Sequence, residues 1–247
     1  KLEVDILGMK AIILAGGKGT RLYPVTLETP KPLLTVQKRP IISHLIDGFL
    51  KYQVDEFIIL INKDHIADFE KWKKDFAFSL NVKFVVENKP LGTFGCLYQI
   101  KNNVGNEPFF VSNGDELKGF DLRKMTDFHK ERGGVATLAL VEVPNPSSYG
   151  VVVCDTKNKV CEFLEKPQNP PSNYISSGLY LLEPEVFDFY LYKEPVFSMV
   201  EKDLFPKLAL ENKLYGCKFQ GQWFDCGTFE RWEKAIKEWS GNDNLIC

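Results

Sequence analysis

Apolar residues along this chain alternate between two rhythms. Lys10-Ala-Ile-Ile-Leu14 is a short apolar run closed by glycines, and Phe57-Ile-Ile-Leu-Ile61 is another of strand length. Val82 to Glu87 and Pro108-Phe-Phe-Val-Ser112 read the same way, the second ending at Asn113-Gly114-Asp115. Between these runs the period becomes helical. From Pro40 to Tyr52, Ile41, Ile42, Leu45, Ile46, Phe49 and Leu50 make one stripe. Asp64 is placed to cap a helix whose Ile66, Phe69, Trp72 and Phe76 share a face opposite lysines. Phe94 to Asn103 and Asp121 to Arg132 read as further helices. Short strands without a polar face, separated by helices, predict a mainly parallel sheet covered on both sides. In such sheets ligands sit beyond the carboxyl ends of the strands. Three segments leave a strand with chemically loaded residues, after Leu14, Val86 and Ser112, which predicts one site assembled from distant sequence.

The second half changes character. Val135 to Val143, Gly150 to Cys154, Val160 to Glu165, Ile175 to Leu182 and Leu214 to Phe219 read as strands, punctuated by prolines from Pro144 to Pro184. Glu185 to Tyr190 and Met199 to Glu211 read as helices, and Phe229 to Trp239 as a terminal amphipathic helix. No internal repeat or linker breaks the pattern. It predicts one α/β domain over residues 9–240, with lobes of about 9–135 and 136–240. Residues 1–8 precede Met9 and are set aside as an added or native extension.

Composition narrows the classes. With 44% hydrophobic and 26% charged residues in 247, the chain is globular rather than disordered, collagenous or coiled-coil. Lys and Arg total 31 against 33 Asp and Glu, a net charge of −2. That balance lacks the broad basic footprint of a duplex binder, so no nucleic-acid partner is expected, although a small basic pocket is compatible with it. Cys96, Cys154, Cys161, Cys217, Cys226 and Cys247 are scattered without a C-x-x-C pair, which disfavours zinc. With no secretory signal in view, thiols in a cytoplasmic protein are expected. His44, His65 and His129 form no cluster. No apolar run reaches the roughly 18 residues needed to cross a bilayer, so no membrane partner is expected.

The densest chemistry is Leu14-Ala15-Gly16-Gly17-Lys18-Gly19-Thr20-Arg21-Leu22. Glycines let backbone N–H groups approach a phosphate and allow a tight turn, while Lys18 and Arg21 add charge. The spacing matches neither a P-loop nor the dinucleotide fingerprint, which disfavours a nicotinamide dehydrogenase. By itself the segment reads as a phosphate loop or as a turn with incidental basic residues. Lys31 is fenced by Pro30 and Pro32 on a stiff loop, where an ammonium suits a phosphate contact or simply faces solvent.

Leu14 to Pro32 resembles the signature of sugar-1-phosphate nucleotidyltransferases. Pro90-Leu-Gly92-Thr93, Asn113-Gly114-Asp115, Ser148-Tyr-Gly150-Val-Val152, Glu165-Lys166-Pro167, Ser177-Gly178-Leu-Tyr180 and Trp223-Phe-Asp225-Cys-Gly-Thr228 resemble further motifs of that family, in its order. The resemblance runs from Met9 to about Trp239. It implies a Rossmann-like three-layer αβα fold with a mixed, mainly parallel central sheet and a small sugar-binding lobe. It also implies a reaction in which a sugar 1-phosphate attacks the α-phosphorus of an NTP, giving an NDP-sugar and pyrophosphate.

The roles that follow are those the resemblance implies. Arg21, Lys31, Asp115, Lys166 and Asp225 carry catalysis, with Asp115 and Asp225 holding Mg2+. Leu14 to Arg21, Glu87, Pro90, Gly92, Thr93, Asn113 and Gly114 bind the nucleotide. Gly150, Glu165, Lys166, Ser176, Ser177 and Gly178 bind the sugar phosphate. Glu87 stands at the family's base-facing position, and an acceptor-only carboxylate suits the adjacent N1–H and amino group of guanine. GTP is therefore favoured, with UTP, dTTP or CTP, or an alcohol phosphate such as phosphocholine, as alternatives. The stretches around Tyr149, Tyr174 and Glu201 look most like mannose- and heptose-1-phosphate guanylyltransferases. Ser176-Ser177-Gly178 replaces a common Asn-Ala-Gly, which leaves the hexose open. Cys226 reads as a packing residue. No hexapeptide-repeat extension is seen, so the regulatory or acetyltransferase functions of such extensions are not expected. A silent, nucleotide-sugar-binding relative is the reading from another class, and self-association is compatible with either.

Overall fold

The computed structural model describes residues 8–241, so the extension at residues 1–7 and Cys247 lie outside the described residues. In chain order the strands are β1 (Lys10–Ala15), β2 (Thr35–Val36), β3 (Arg39–Pro40), β4 (Glu56–Asn62), β5 (Asn81–Glu87), β6 (Phe109–Asn113), β7 (Glu116–Lys118), β8 (Ala136–Glu142), β9 (Gly150–Cys154), β10 (Val160–Glu165), β11 (Tyr174–Leu182), β12 (Leu214–Lys218) and β13 (Trp223–Asp225). The helices are α1 (Val25–Glu28), α2 (Ile41–Leu50), α3 (Ile66–Phe76), α4 (Gly92–Gln99), α5 (Lys101–Val104), α6 (Leu122–Arg132), α7 (Phe205–Leu210) and α8 (Phe229–Glu238). The fold is α/β and Rossmann-like, with mixed strand pairing.

The chain folds into two compact units. Among the described residues the first comprises 8–90, Ser112–Leu122 and 221–241; the second comprises Leu91–Val111 and Arg123–Gln220.

In the first unit β1, β4 and β5 pair in parallel, with Ala15 beside Ile61 and Ile61 beside Val86. Ile12, Ile13, Ile59, Leu60 and Ile61 are fully buried. Each such side chain stabilises the fold by about 1.5–3 kcal/mol, which is why these runs carry no polar face. Helix α2 sets Phe49 edge-on to Phe57 of β4, and α3 sets Phe69 and Trp72 against Phe84 of β5. Two expectations fail at α3. Asp64 caps nothing; it lies in a 3-10 turn whose N-cap is Asn62, whose side chain accepts from Asp64 N at 3.0 Å. Only Phe69 and Trp72 of the four-residue stripe are buried, because Ile66 and Phe76 sit at the helix ends, 41% and 45% exposed. An antiparallel pair that no apolar pattern marks, β7 with β13, places Asp225 opposite Glu116. It is seated on a cluster of Leu22, Leu34, Val36, Ile41, Leu117, Cys226, Ala235 and Trp239.

In the second unit β11 pairs antiparallel with β8 and β9, β9 pairs antiparallel with β10, and β12 joins β8 in parallel. The β11–β8 register shifts between Ser176 and Tyr180, so the Ser-Ser-Gly stretch is a bulge. Gly178 has φ 65° there. Helix α7 packs Phe205 against Phe163 and Tyr180. The predicted helix over Met199–Glu211 is two elements, a π turn over Val200–Leu204 and then α7, and Phe94–Asn103 is divided into α4 and α5.

Candidate active site

Five segments of the first unit converge at the carboxyl ends of its parallel strands. The glycine loop leaves β1 and is braced by Thr26, whose Oγ1 donates to Gly19 O at 2.8 Å. Lys18, Thr20 and Arg21 are exposed in it. Glu87 ends β5 in register with Asn62 of β4. Its carboxylate lies directly over the loop: a Cβ on Gly16 would overlap Glu87 Oε1 and stand 3.1 Å from Cδ. The Asn113–Asp115 turn docks against the end of β1, where Gly114 N donates to Leu14 O at 3.0 Å. A Cβ at Gly114 would stand 3.0 Å from Ile13 Cγ2 and 3.1 Å from Leu14 O, so glycine suits this close approach.

Lys31 reaches the same place. It is buried, and its Nζ donates to Asp115 Oδ2. Burial pulls its pKa down, but the Asp115 carboxylate, the hydrogen bond to it and Asp225 outweigh that, and the net shift is upward. Asp115 moves the other way: burial pushes its pKa up, while Lys31 and then Lys118 pull it below the usual carboxylate value. The fifth segment is the end of β13. Cys226 N donates to Asp115 O at 3.3 Å, which sets the residue after Asp225 against Asp115, and both carboxylates act on the Lys31 ammonium. Asp225 Oδ2 accepts from Arg231 Nη1 of α8 at 2.5 Å, and Thr228 caps that helix. Arg21 shares this corner, since a Cβ on Gly227 would stand 3.0 Å from Arg21 Nη2 and 3.3 Å from Asp225 Cγ.

Glu116, next to Asp115 in the chain and opposite Asp225 in the β7–β13 register, is buried, and its pKa is pushed up to about 6 by burial and by Asp115 and Asp225, against Lys118. Cys226 is fully buried, and burial with the three carboxylates pushes its thiol far up, as a packing role requires. Arg231, Glu116 and Lys118 were not found from sequence. The signal for Arg231 was the Thr228 cap, which folds α8 back over β13.

The second unit gathers a separate set. Thr93 Oγ1 donates to Glu201 Oε2 at 2.6 Å and accepts from Val200 N at 2.9 Å. Glu201 has its pKa raised chiefly by burial, with Glu165 adding to the rise and Lys166 opposing it, so these side chains share one neighbourhood. Lys166 Nζ pairs with Glu165 Oε1 at 2.9 Å, and its backbone is left-handed at φ 50°. Strain of this kind recurs at functional sites, as do π turns such as the one carrying Glu201. Gly150 packs against Phe163, where a Cβ would meet the ring, and Ser177 Oγ donates to Ala139 O at 2.8 Å. Ser176 Oγ is buried in the β11 bulge. Pro90 belongs to the first unit, while Gly92 and Thr93 belong to the second.

Among the described residues no group of three or more His, Cys, Asp or Glu is arranged to hold a metal. Asp115 and Asp225 are of the donor class that magnesium takes, one or two carboxylates with phosphate oxygens and water, and in this structure they pair with Lys31 and Arg231. Among the described residues, too, no helix is long and apolar enough to cross a membrane.

The nucleotidyl transferase family matches residues 10–240. A mannose-1-phosphate guanyltransferase of Saccharomyces cerevisiae is 38% identical over 226 residues, covering 89% of this chain and 61% of that protein. A mannose-1-phosphate guanylyltransferase 1 of Arabidopsis thaliana is 39% identical over 225 residues, with the same coverages. The chain thus spans about 61% of the length of the curated relatives it matches. Among solved structures, a Bacillus anthracis protein named provisionally as a glucose-1-phosphate thymidylyltransferase, in complex with a sucrose, superposes with TM-score 0.85 at 29% identity. That alignment covers 93% of this chain and 94% of the other. HddC from Yersinia pseudotuberculosis superposes with TM-score 0.80 at 26% identity, covering 93% and 98%.

Proposed function

The chain belongs to the nucleotidyl transferase family, and we propose that it condenses GTP with a mannose- or heptose-like sugar 1-phosphate to give an NDP-sugar and pyrophosphate. The observation that carries this reading is the convergence, at the ends of β1, β4 and β5, of a glycine loop, the Lys31–Asp115 pair and Asp225. Two mutually repelling anions must be brought together, and nucleotidyl transfer depends on positioning and charge neutralisation more than on covalent help.

An oxygen of the sugar phosphate attacks the α-phosphorus in line, the bond to the bridging β-phosphate oxygen breaks, and pyrophosphate carries away the electron pair. The attacking oxygen is already anionic, so no general base is required. The loop amides of Gly16 to Gly19 with Lys18 and Arg21 hold the triphosphate and the leaving pyrophosphate. Lys31 neutralises charge on the phosphates. Asp115 and Asp225 would hold Mg2+, which supplies further charge neutralisation at the phosphate oxygens. Lys166 orients the sugar phosphate, and Gly150, Glu165 and Ser176 to Gly178 contact the sugar. Pro90, Gly92 and Thr93 line the nucleotide.

Guanine is favoured by the Glu87 carboxylate, which accepts from two adjacent donors where a glutamine would offer one of each kind. The names of the mannose-1-phosphate relatives support the same base and sugar. A cytoplasmic setting is part of the proposal, since a nucleoside triphosphate is the substrate and no disulfide forms among the described residues.

The test is pyrophosphate release with Mg2+, each NTP in turn and a panel of sugar 1-phosphates. GTP with mannose 1-phosphate or a heptose 1-phosphate is expected to give the highest kcat/KM. No release with any pair overturns the enzymatic reading and favours a silent relative.

A further inference from the structure

Glu116 follows the candidate metal ligand Asp115 directly, and its buried carboxylate is met by donors from three directions. Oε1 accepts from Asn113 Nδ2 at 2.8 Å. Oε2 accepts from Trp223 Nε1 of β13 at 2.9 Å and lies 3.2 Å from Lys118 Nζ. Lys118 Nζ also reaches the backbone oxygen of Asn113 at 3.4 Å. A buried carboxylate is costly unless it is paired and hydrogen-bonded. Here it links the Asn113–Asp115 turn to the strand that ends at Asp225. The β7–β13 ladder is only three residues long, and two short strands alone hold a register weakly.

The amide of Asn113 has nearly the same shape either way round, so the chemistry of its partner decides its orientation. A carboxylate only accepts. Facing Glu116, the amide must offer Nδ2, which turns Oδ1 away from it. Resting on the nucleotide-binding reading above, we propose that Glu116 is a positioning residue that sets Asn113 to accept, through Oδ1, from a hydroxyl or N–H of the nucleoside rather than to donate to a phosphate, and that ties the Asp115 turn to the Asp225 strand.

Reversing the polarity of the pair tests this. In Glu116→Gln the amide oxygen stays on Trp223 and Lys118, and its NH2 faces Asn113 Nδ2. Two donors cannot pair, so Asn113 turns over and presents a donor. GTP affinity, measured by calorimetry in Mg2+ without sugar phosphate, should weaken about tenfold. Asn113→Asp alone sets two carboxylates face to face and should weaken binding as much. The double variant E116Q/N113D restores a donor–acceptor pair, leaves an acceptor outward and should recover most of the affinity. The Trp223 indole N–H resonance should stay in place in Glu116→Gln and move in Glu116→Ala, which removes its acceptor.

Equal affinity of wild type and Glu116→Gln overturns the proposal while leaving the functional reading intact. Additive losses in the double variant do the same. No binding of any NTP by the wild-type chain overturns both.

Discussion

Glycine 16 offers a clean way to move one side chain without disturbing the fold. It has no positive φ, so alanine is conformationally allowed there. The added methyl group would occupy the place of Glu87 Oε1, the end of a flexible side chain, so the carboxylate swings aside and the backbone stays. The expected cost in stability is under about 1 kcal/mol. The cost in recognition is larger. A bidentate contact between a side chain and a base edge is worth about 1–3 kcal/mol of discrimination, or about 5- to 150-fold in a ratio of specificities. Gly16→Ala should therefore lower kcat/KM for GTP relative to UTP by that factor, with the same sugar phosphate and an unchanged urea midpoint. Glu87→Gln should shift the ratio in the same direction. The double variant should add little, because both changes remove one contact. A Gly16→Ala chain that folds normally and keeps its GTP preference would refute the assignment of Glu87 to the base.

Two further outcomes follow from other parts of the molecule. Lys166 has a side chain 62% exposed, so Lys166→Ala should leave stability unchanged. It should raise KM for the sugar 1-phosphate about tenfold without moving KM for the NTP, and steady-state kinetics with each substrate varied will show whether it does. His44 donates from Nε2 to Val36 O at 2.9 Å and stands edge-on to Trp239, and burial lowers its pKa below 6.5. Below pH 6.5 the unfolded chain therefore binds the proton more readily than the folded one, so stability falls as pH drops through that window and is complete above it. Urea midpoints at pH 7.5 and 5.5 should differ less in His44→Gln than in wild type; equal differences would contradict the lowered pKa.

The parallel strands and the glycine loop were legible because each is continuous in sequence. Lys10–Leu14 and Phe57–Ile61 have no polar face to hide, and both are strands within a residue of their predicted limits. The pair β7–β13 was not legible. Glu116 and Lys118 are charged, and their mutual pairing, together with Asn113 and Trp223, lets them be buried strand residues. Arg231 was missed for a similar reason: its partner Asp225 is six residues away, across a capped helix start that periodicity does not report. Asp64 and Asn62 are equally good caps by residue type, and the choice between them depended on a 3-10 turn that no apolar spacing marks. Exposure of Ile66 and Phe76 shows the limit of a helical stripe, since its end positions reach past the sheet that covers its middle. The juxtaposition of Asp115 with Asp225 was expected only from resemblance, and it arises physically from a three-residue ladder.

The proposed transfer depends most on the charge carried by Asp115 and Asp225. Asp225→Asn keeps the shape and removes one of the two charges. With Mg2+, GTP and mannose 1-phosphate, its rate of pyrophosphate release should fall by about 10²–10³, the range for losing one electrostatic contributor at a reacting centre, while its circular dichroism matches wild type. A folded Asp225→Asn chain that releases pyrophosphate within twofold of the wild-type rate would contradict the account.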